Sequence, residues 1–239
     1  GEDLLSFSDT LLINSSWNSV TGILTLTGSD TAANYQAALK TVQYHNSSED
    51  PNLASRTISY RVNDGVVDSS TATQIIHLTA VNDTPIVSAG ATLAYRENDV
   101  TAIDTTIELV DTDDTQIAGA IVSISSGLIT GDLLAVATQN NITGNYDSDT
   151  GILTLTGTAT VAEYQTALQS VTYSSSSEDI NAVGNPVSRT ITWAVTDANS
   201  DSIGAQTSVD VTSTINLSPL NDAPVGNNDT GAVHEESTL

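Results

Sequence analysis

The chain has 239 residues with 29 Asp and Glu against 5 Lys and Arg, a formal charge of −24, so it cannot build the concentrated cationic surface that a phosphate backbone or an anionic bilayer requires. It has no cysteine, which excludes a disulfide scaffold and a thiolate metal site. No apolar run approaches the roughly 18 residues of a membrane-spanning helix, and Gly1-Glu2-Asp3 is neither an initiator nor a signal peptide, so the chain reads as an exported piece of something longer, with no direct membrane insertion.

Charged residues are 14% of the chain and hydrophobic ones 38%. Ser, Thr, Asn, Val, Ile and Gly recur throughout, which is strand and turn chemistry, so the expected fold class is all-β. In chain order, Trp17 to Leu26 reads as a hairpin turning at Asn18 to Gly22. Tyr35, Leu39 and Val42, spaced i, i+4, i+7, predict a short helical crossover. Ile58, Tyr60 and Val62 alternate as a strand with one buried face should. Beyond a linker at residues 81–85, Val122 and Ile124 predict a strand, and Tyr146 to Leu155 a second hairpin turning at Asp147 to Gly151. Tyr164, Leu168 and Val171 predict a second helical crossover, and strands follow at Ile191, Trp193, Val195 and at Val209, Val211, Ile215.

These elements repeat. Thr21-Gly-Ile-Leu-Thr-Leu-Thr-Gly28 returns as Thr150 to Gly157, and Leu39 to Asp50 returns as Leu168 to Asp179, both 129 residues later. Ser55-Arg-Thr-Ile58 matches Ser188-Arg-Thr-Ile191 at an offset of 133, and Val81-Asn-Asp-Thr-Pro85 matches Leu220-Asn-Asp-Ala-Pro224 at 139. The growing offset places insertions in loops. Residues 86–219 are expected to form one complete repeat, residues 1–80 the later, incomplete part of another, and residues 220–239 a linker with the start of a third.

Chemistry-bearing residues gather at strand ends and joints. Asp111, Asp113 and Asp114 place three carboxylates within four positions; such charges held about 4 Å apart repel by several kcal/mol at an effective dielectric near 20. A cation relieves this, and Ca²⁺ suits it best, because it takes six to eight oxygen ligands without strict geometry. The other oxygen-rich segments are Asn63-Asp64 to Asp68, Asn82-Asp83, Asp197 to Asp201 and Asn221-Asp222. Asp64, Asp68, Asn82 and Asp83 are expected to meet Asp111, Asp113 and Asp114 at one joint. Asp197, Asp201, Asn221 and Asp222 are expected at the next. Against this stands local turn chemistry, in which Asp and Asn are favoured for their own hydrogen bonds.

The Asn-Asp-x-Pro linkers at Asn82 and Asn221, the Asp-x-Asp of Asp111 to Asp113 and the early Glu97-Asn98 resemble the cadherin pattern that holds inter-domain calcium. The whole repeat, with GEDLLSF, TGILTLTG and YQAALKTVQY, resembles the cadherin-like repeats of large bacterial RTX-type adhesins and exoproteins. That resemblance implies tandem Ig-like or cadherin-like β-sandwiches with Ca²⁺ at the joints, Glu97 joining the Asn221-Asp222 junction. The Asp-Arg-Glu segment of animal cadherins is absent and the linker motif is shortened. By the resemblance the chain is an extender at the bacterial cell surface or secreted, active in adhesion and biofilm. Its partners are neighbouring repeats and, through other domains, a cell-surface or matrix ligand. The alternatives are a carbohydrate- or protein-binding module and an accessory domain of a secreted enzyme.

No catalytic seat is visible: no G-x-S-x-G elbow and no phosphate loop occur, and His45, His77 and His234 lie far apart without zinc-ligand spacing. Trp193 alternates with Ile191 and Val195 as a core residue does, which argues against a tryptophan platform for sugars.

Overall fold

The computed structural model describes residues 2–177, 180, 186–199, 202, 204–221 and 226. Alternation and turn chemistry produce a molecule of short strands with two nine-residue helices. It divides into two units: Gly1–Pro85 with Asp111–Thr115 and Asp197–Gln206, and Ile86–Val110 with Gln116–Thr196 and Thr207–Leu239.

In the first unit β1 (Asp3–Ser6), β2 (Asn14–Asn18), β3 (Ile23–Thr27), α1 (Ala32–Lys40), β4 (Gln43–Asn46), β5 (Arg56–Tyr60) and β6 (Ala72–Ile76) follow in order. They form three antiparallel pairs, β1 with β4, β2 with β3 and β5 with β6. The β2–β3 turn closes where the sequence predicts it, Gly22 N donating to Asn18 O at 2.9 Å. Thr31 caps α1, its hydroxyl accepting from Asn34 N. The helix stops at Lys40, so Val42 lies just past the cap. The buried hydrophobic side chains here are Ile13 and Ala38, while Leu11, Leu12, Val20, Ile23 and Ile75 are exposed.

The second unit contains β7 (Ile86–Ser88), β8 (Thr92–Arg96), β9 (Thr101–Ala102), β10 (Glu108–Val110), β11 (Gln116–Ser126), β12 (Asp132–Ala135), β13 (Thr143–Asp147), β14 (Ile152–Thr160), α2 (Val161–Gln169), β15 (Thr172–Ser175), β16 (Ser188–Asp197) and β17 (Val211–Ser218). A six-stranded sheet runs β13-β14-β11-β16-β17-β8; β12-β15-β9 and β10-β7 form smaller ones. The one core lies here. Ile191, Trp193 and Val195 of β16 alternate into it and meet Val122, Leu153, Leu155, Leu134, Leu168 and Tyr173. This is the all-β sandwich with one helical crossover that the sequence predicts.

Two local features locate the helices and strands. A capping box of Thr160 and Glu163 starts α2, and Tyr164 donates to Gly157 O at 2.6 Å as Tyr35 does to Gly28 O at 2.7 Å. Gly28 and Gly157 have φ of +144° and +118°, and a Cβ would fall 1.8 Å from Leu12 O and 2.0 Å from Asn141 O. Only glycine fits at either. Val209, expected inside the last strand, instead precedes it and is 81% exposed. Between Thr196↔Thr207 and Trp193↔Val211 the pairing slips by one residue, and the extra residue turns Val209 outward.

Asp104 stitches the second unit from inside. It is 1% exposed and accepts from Gly90 N, Ala91 N, Thr106 N and Oγ1, and Ser213 Oγ, at 2.7–3.1 Å. Burial raises its pKa, but the donors of Thr106, Ala91, Gly90 and Ser213 outweigh it and hold the carboxyl well below its usual range. A depressed folded value gives stability that is present above the unfolded pKa, about 3.9, and is lost as pH falls toward the folded one. Denaturant midpoints of the second unit are therefore expected to fall steadily from about pH 5 to pH 2, and more shallowly in Asp104→Asn. Equal slopes in the two proteins would refute the assignment.

Candidate metal centre

The first unit brings three chain segments together: the linker at Asn82-Asp83, the turn Asp111 to Asp114, and the end of β16 with the loop that follows it. Asn82 is 4% exposed, and its Nδ2 donates to Asp197 Oδ2 at 3.0 Å and to Gly204 O at 2.9 Å. Both partners are acceptors, which fixes the amide orientation and turns Oδ1 the other way. The side-chain amide of Gln206 donates to Asn82 O. Asp83 N donates to Asp113 Oδ2 at 2.9 Å, and Asp114 N to Asp111 Oδ1 at 3.1 Å.

One carboxylate oxygen from each of Asp111, Asp114 and Asp197 lies within 4.8 Å of the other two. Asp197 keeps its place through Asn199 N at 3.0 Å and Gln206 N at 2.8 Å. Asn82 Oδ1, Asp111 Oδ2 and Asp113 Oδ1 are buried with no hydrogen-bond partner. Burying a polar atom unpaired costs about 1–3 kcal/mol, so three at one place call for a positive partner. Desolvation, with the neighbouring carboxylate of Asp113, pushes Asp111 up to about 6. All of these donors are oxygens. A hard cation such as Ca²⁺ fits them, with Asn82, Asp111, Asp113, Asp114 and Asp197 as its side-chain ligands; zinc, which favours His and Cys, does not.

The expected grouping holds for Asn82, Asp83, Asp111, Asp113 and Asp114, but Asp197 joins them rather than Asn221. Strand direction explains this. β17 runs parallel to β8 and β16 antiparallel to β17, so β16 travels back toward the end at which β8 begins. For the same reason Glu97, just after β8, reaches the other end: its Oε2 accepts from Leu220 N at 2.7 Å, and its buried Oε1 has no partner among the described residues. Asn221 is exposed, and Asp201 and Asp222 lie outside the described residues.

Asp64 and Asp68 are engaged locally. Asp64 accepts from Val66 N and Val67 N, both at 2.9 Å, and those backbone donors lower its pKa. Asp68 accepts from Asn63 Nδ2 at 2.8 Å and faces Arg61 at 3.5 Å. By the 133-residue offset Asp64 is the counterpart of Asp197. Gln206 carries no sequence signal, since a lone Gln in a loop has no spacing to mark it.

No family model matches the chain. Halomucin of Haloquadratum walsbyi (strain DSM 16790 / HBSQ001) is 41% identical over 110 residues, which cover 41% of this chain and 1% of that protein. Solved structures with some likeness include human protocadherin-24 EC1-2, at 11% identity and a TM-score of 0.33 over 92% of this chain and 82% of that one. The extracellular cadherin domains 1-5 of protocadherin gamma B2 give 14% identity and 0.32 over 93% and 34%. Among the described residues no helix is long and apolar enough to cross a membrane. The strand order, register and oxygen cluster define the chain as an all-β sandwich protein with a preformed cation-binding constellation.

Proposed function

We propose that the chain is a calcium-stiffened spacer of a large extracellular surface protein, of the adhesin kind, acting mechanically rather than catalytically. The observation that carries this is the convergence of Asp111, Asp114 and Asp197 beside the linker residue Asn82, with three buried oxygens unpaired. A divalent cation there would tie the linker to the repeat that follows it. Similarity to part of a halomucin supports a surface protein in this reading.

Extracellular modules of this kind bind Ca²⁺ at roughly 10⁻⁴–10⁻³ M. At a hundred times the dissociation constant such a ligand stabilises by about 2.7 kcal/mol, which raises Tm by about 5–10 °C in a domain of this size. Thermal melts and solution scattering with calcium and then chelator test it. The expected result is a lower Tm and a shorter, still folded particle on chelation, with both responses weakened in Asp111→Asn/Asp113→Asn. Identical melts and dimensions in the two conditions would end the proposal.

A further inference from the structure

The internal repeat supplies its own control for one groove of the first unit. At offsets of 129 and 133, β2 corresponds to β13, β3 to β14, β5 to β16 and β6 to β17. In the complete repeat β11 lies between β14 and β16. The first unit has β2-β3 and β5-β6 as separate pairs and nothing corresponding to β11. The slot is one strand wide, bounded by β3 and β5.

Contacts at matching positions show what occupies it in the complete copy. Ile124 N donates to Gly151 O at 2.9 Å, and a Cβ on Gly151 would meet Leu128 methyls at 3.0 and 3.1 Å. At Gly22, the counterpart, it would meet nothing within 4 Å. Gly127 packs on Ser188 O and the Arg189 side chain, and Ser125 Oγ donates to Thr190 O at 3.2 Å. The counterparts of Ser188, Arg189 and Thr190 are Ser55, Arg56 and Thr57, which line a groove with Trp17 and Gly22. Leu153, Leu155, Ile191 and Trp193 are at most 1% exposed; Leu24, Leu26, Ile58 and Tyr60 are only half-buried.

We propose that this groove is an acceptor for an extended, alternately apolar strand of the Gln116 to Leu128 type, which inserts between β3 and β5 and completes the sheet by backbone pairing. The backbone edges give affinity, and the inward residues of the incoming strand, Val122 and Ile124 in the copy present here, give specificity. A polar or charged segment would leave the apolar floor uncovered and bury its own charge. This binding does not involve the cation cluster.

Trp17 reports on it, because it lines the groove while Trp193 is fully buried. A peptide of residues 111–130, whose acidic start keeps it soluble, is titrated into the full chain in excess calcium and again in chelator. The expected result is a saturable 1:1 blue shift of Trp17 emission, absent in Trp17→Phe, with hydrogen-exchange protection appearing at residues 23–27 and 56–60. The peptide carrying Val122→Asp and Ile124→Asp is expected to bind at least tenfold more weakly. As a second arm, residues 86–129 are fused ahead of Gly1, which should bury Trp17 without added peptide. No Trp17 shift and no protection in either arm would overturn the proposal. So would concentration-dependent dimerisation that gives the same protection without peptide, since the groove would then belong to a second copy.

Discussion

Replacing Arg189 with Met is expected to destabilise the second unit by about 3–5 kcal/mol, because it leaves a buried carboxylate without its counter-charge. Arg189 Nε donates to Asp132 Oδ2 at 2.6 Å, both side chains are fully buried, and Tyr173 OH donates to Asp132 Oδ1 at 2.6 Å. Burial and that hydrogen bond push the Tyr173 hydroxyl up, so it stays a donor. The first unit holds the same trio as Asp3, Arg56 and Tyr44, with the ion pair at 3.0 Å and side chains 19% and 45% exposed. Solvent screening reduces such a pair to about 0–1 kcal/mol, so Arg56→Met should cost far less. Denaturant unfolding followed separately by Trp193 and Trp17 checks both. Equal losses would show that burial does not govern the pair. Adding Asp132→Leu to Arg189→Met should recover much of the loss, since the cost comes from the unpaired charge.

Trp193→Ala is expected to cost a further 3–5 kcal/mol on its own account, through lost transfer energy and the cavity left behind. The ring is fully buried between Ile191 and Val195 of the same strand face. Its indole N–H donates to Ser213 Oγ at 3.1 Å, and Ser213 donates on to Asp104. Trp193→Phe keeps most of the volume and loses only the indole hydrogen bond, a change of about 1 kcal/mol beyond the smaller cavity. Urea midpoints of the two variants, read by circular dichroism, separate packing from polar stitching. A Trp193→Ala loss below that of Trp193→Phe would show that the ring does not fill the core.

Much of this fold is legible in local pattern. Trp193 reads as core from its alternation with Ile191 and Val195, and both hairpins read from their turn residues, because one strand face and one turn involve only near neighbours. The helical crossovers read from Tyr35 with Leu39 and Tyr164 with Leu168, although Val42 and Val171 lie past the caps at Thr41 and Ser170. The buried Asp132–Arg189 pair was less plain. Its signal is that Arg189 falls on the inward phase of β16, and that Arg56 recurs at the matching place among only 5 basic residues.

The acidic turn Asp111 to Asp114 and the linker Asn82-Asp83 announce themselves by composition, since carboxylates that crowd together in sequence stay crowded in any fold. The sequence by itself thus determined the strand content, the repeat, the oxygen chemistry and the carboxylates closest to one another along the chain. Only tertiary structure decided that Asp197, 83 residues beyond Asp114, completes that cluster, and that Glu97 sits with Leu220 instead. The physical reason is strand direction: alternation tells which face a residue occupies but not which way its strand runs, and that is set by long-range pairing of β16 with β17 and of β17 with β8.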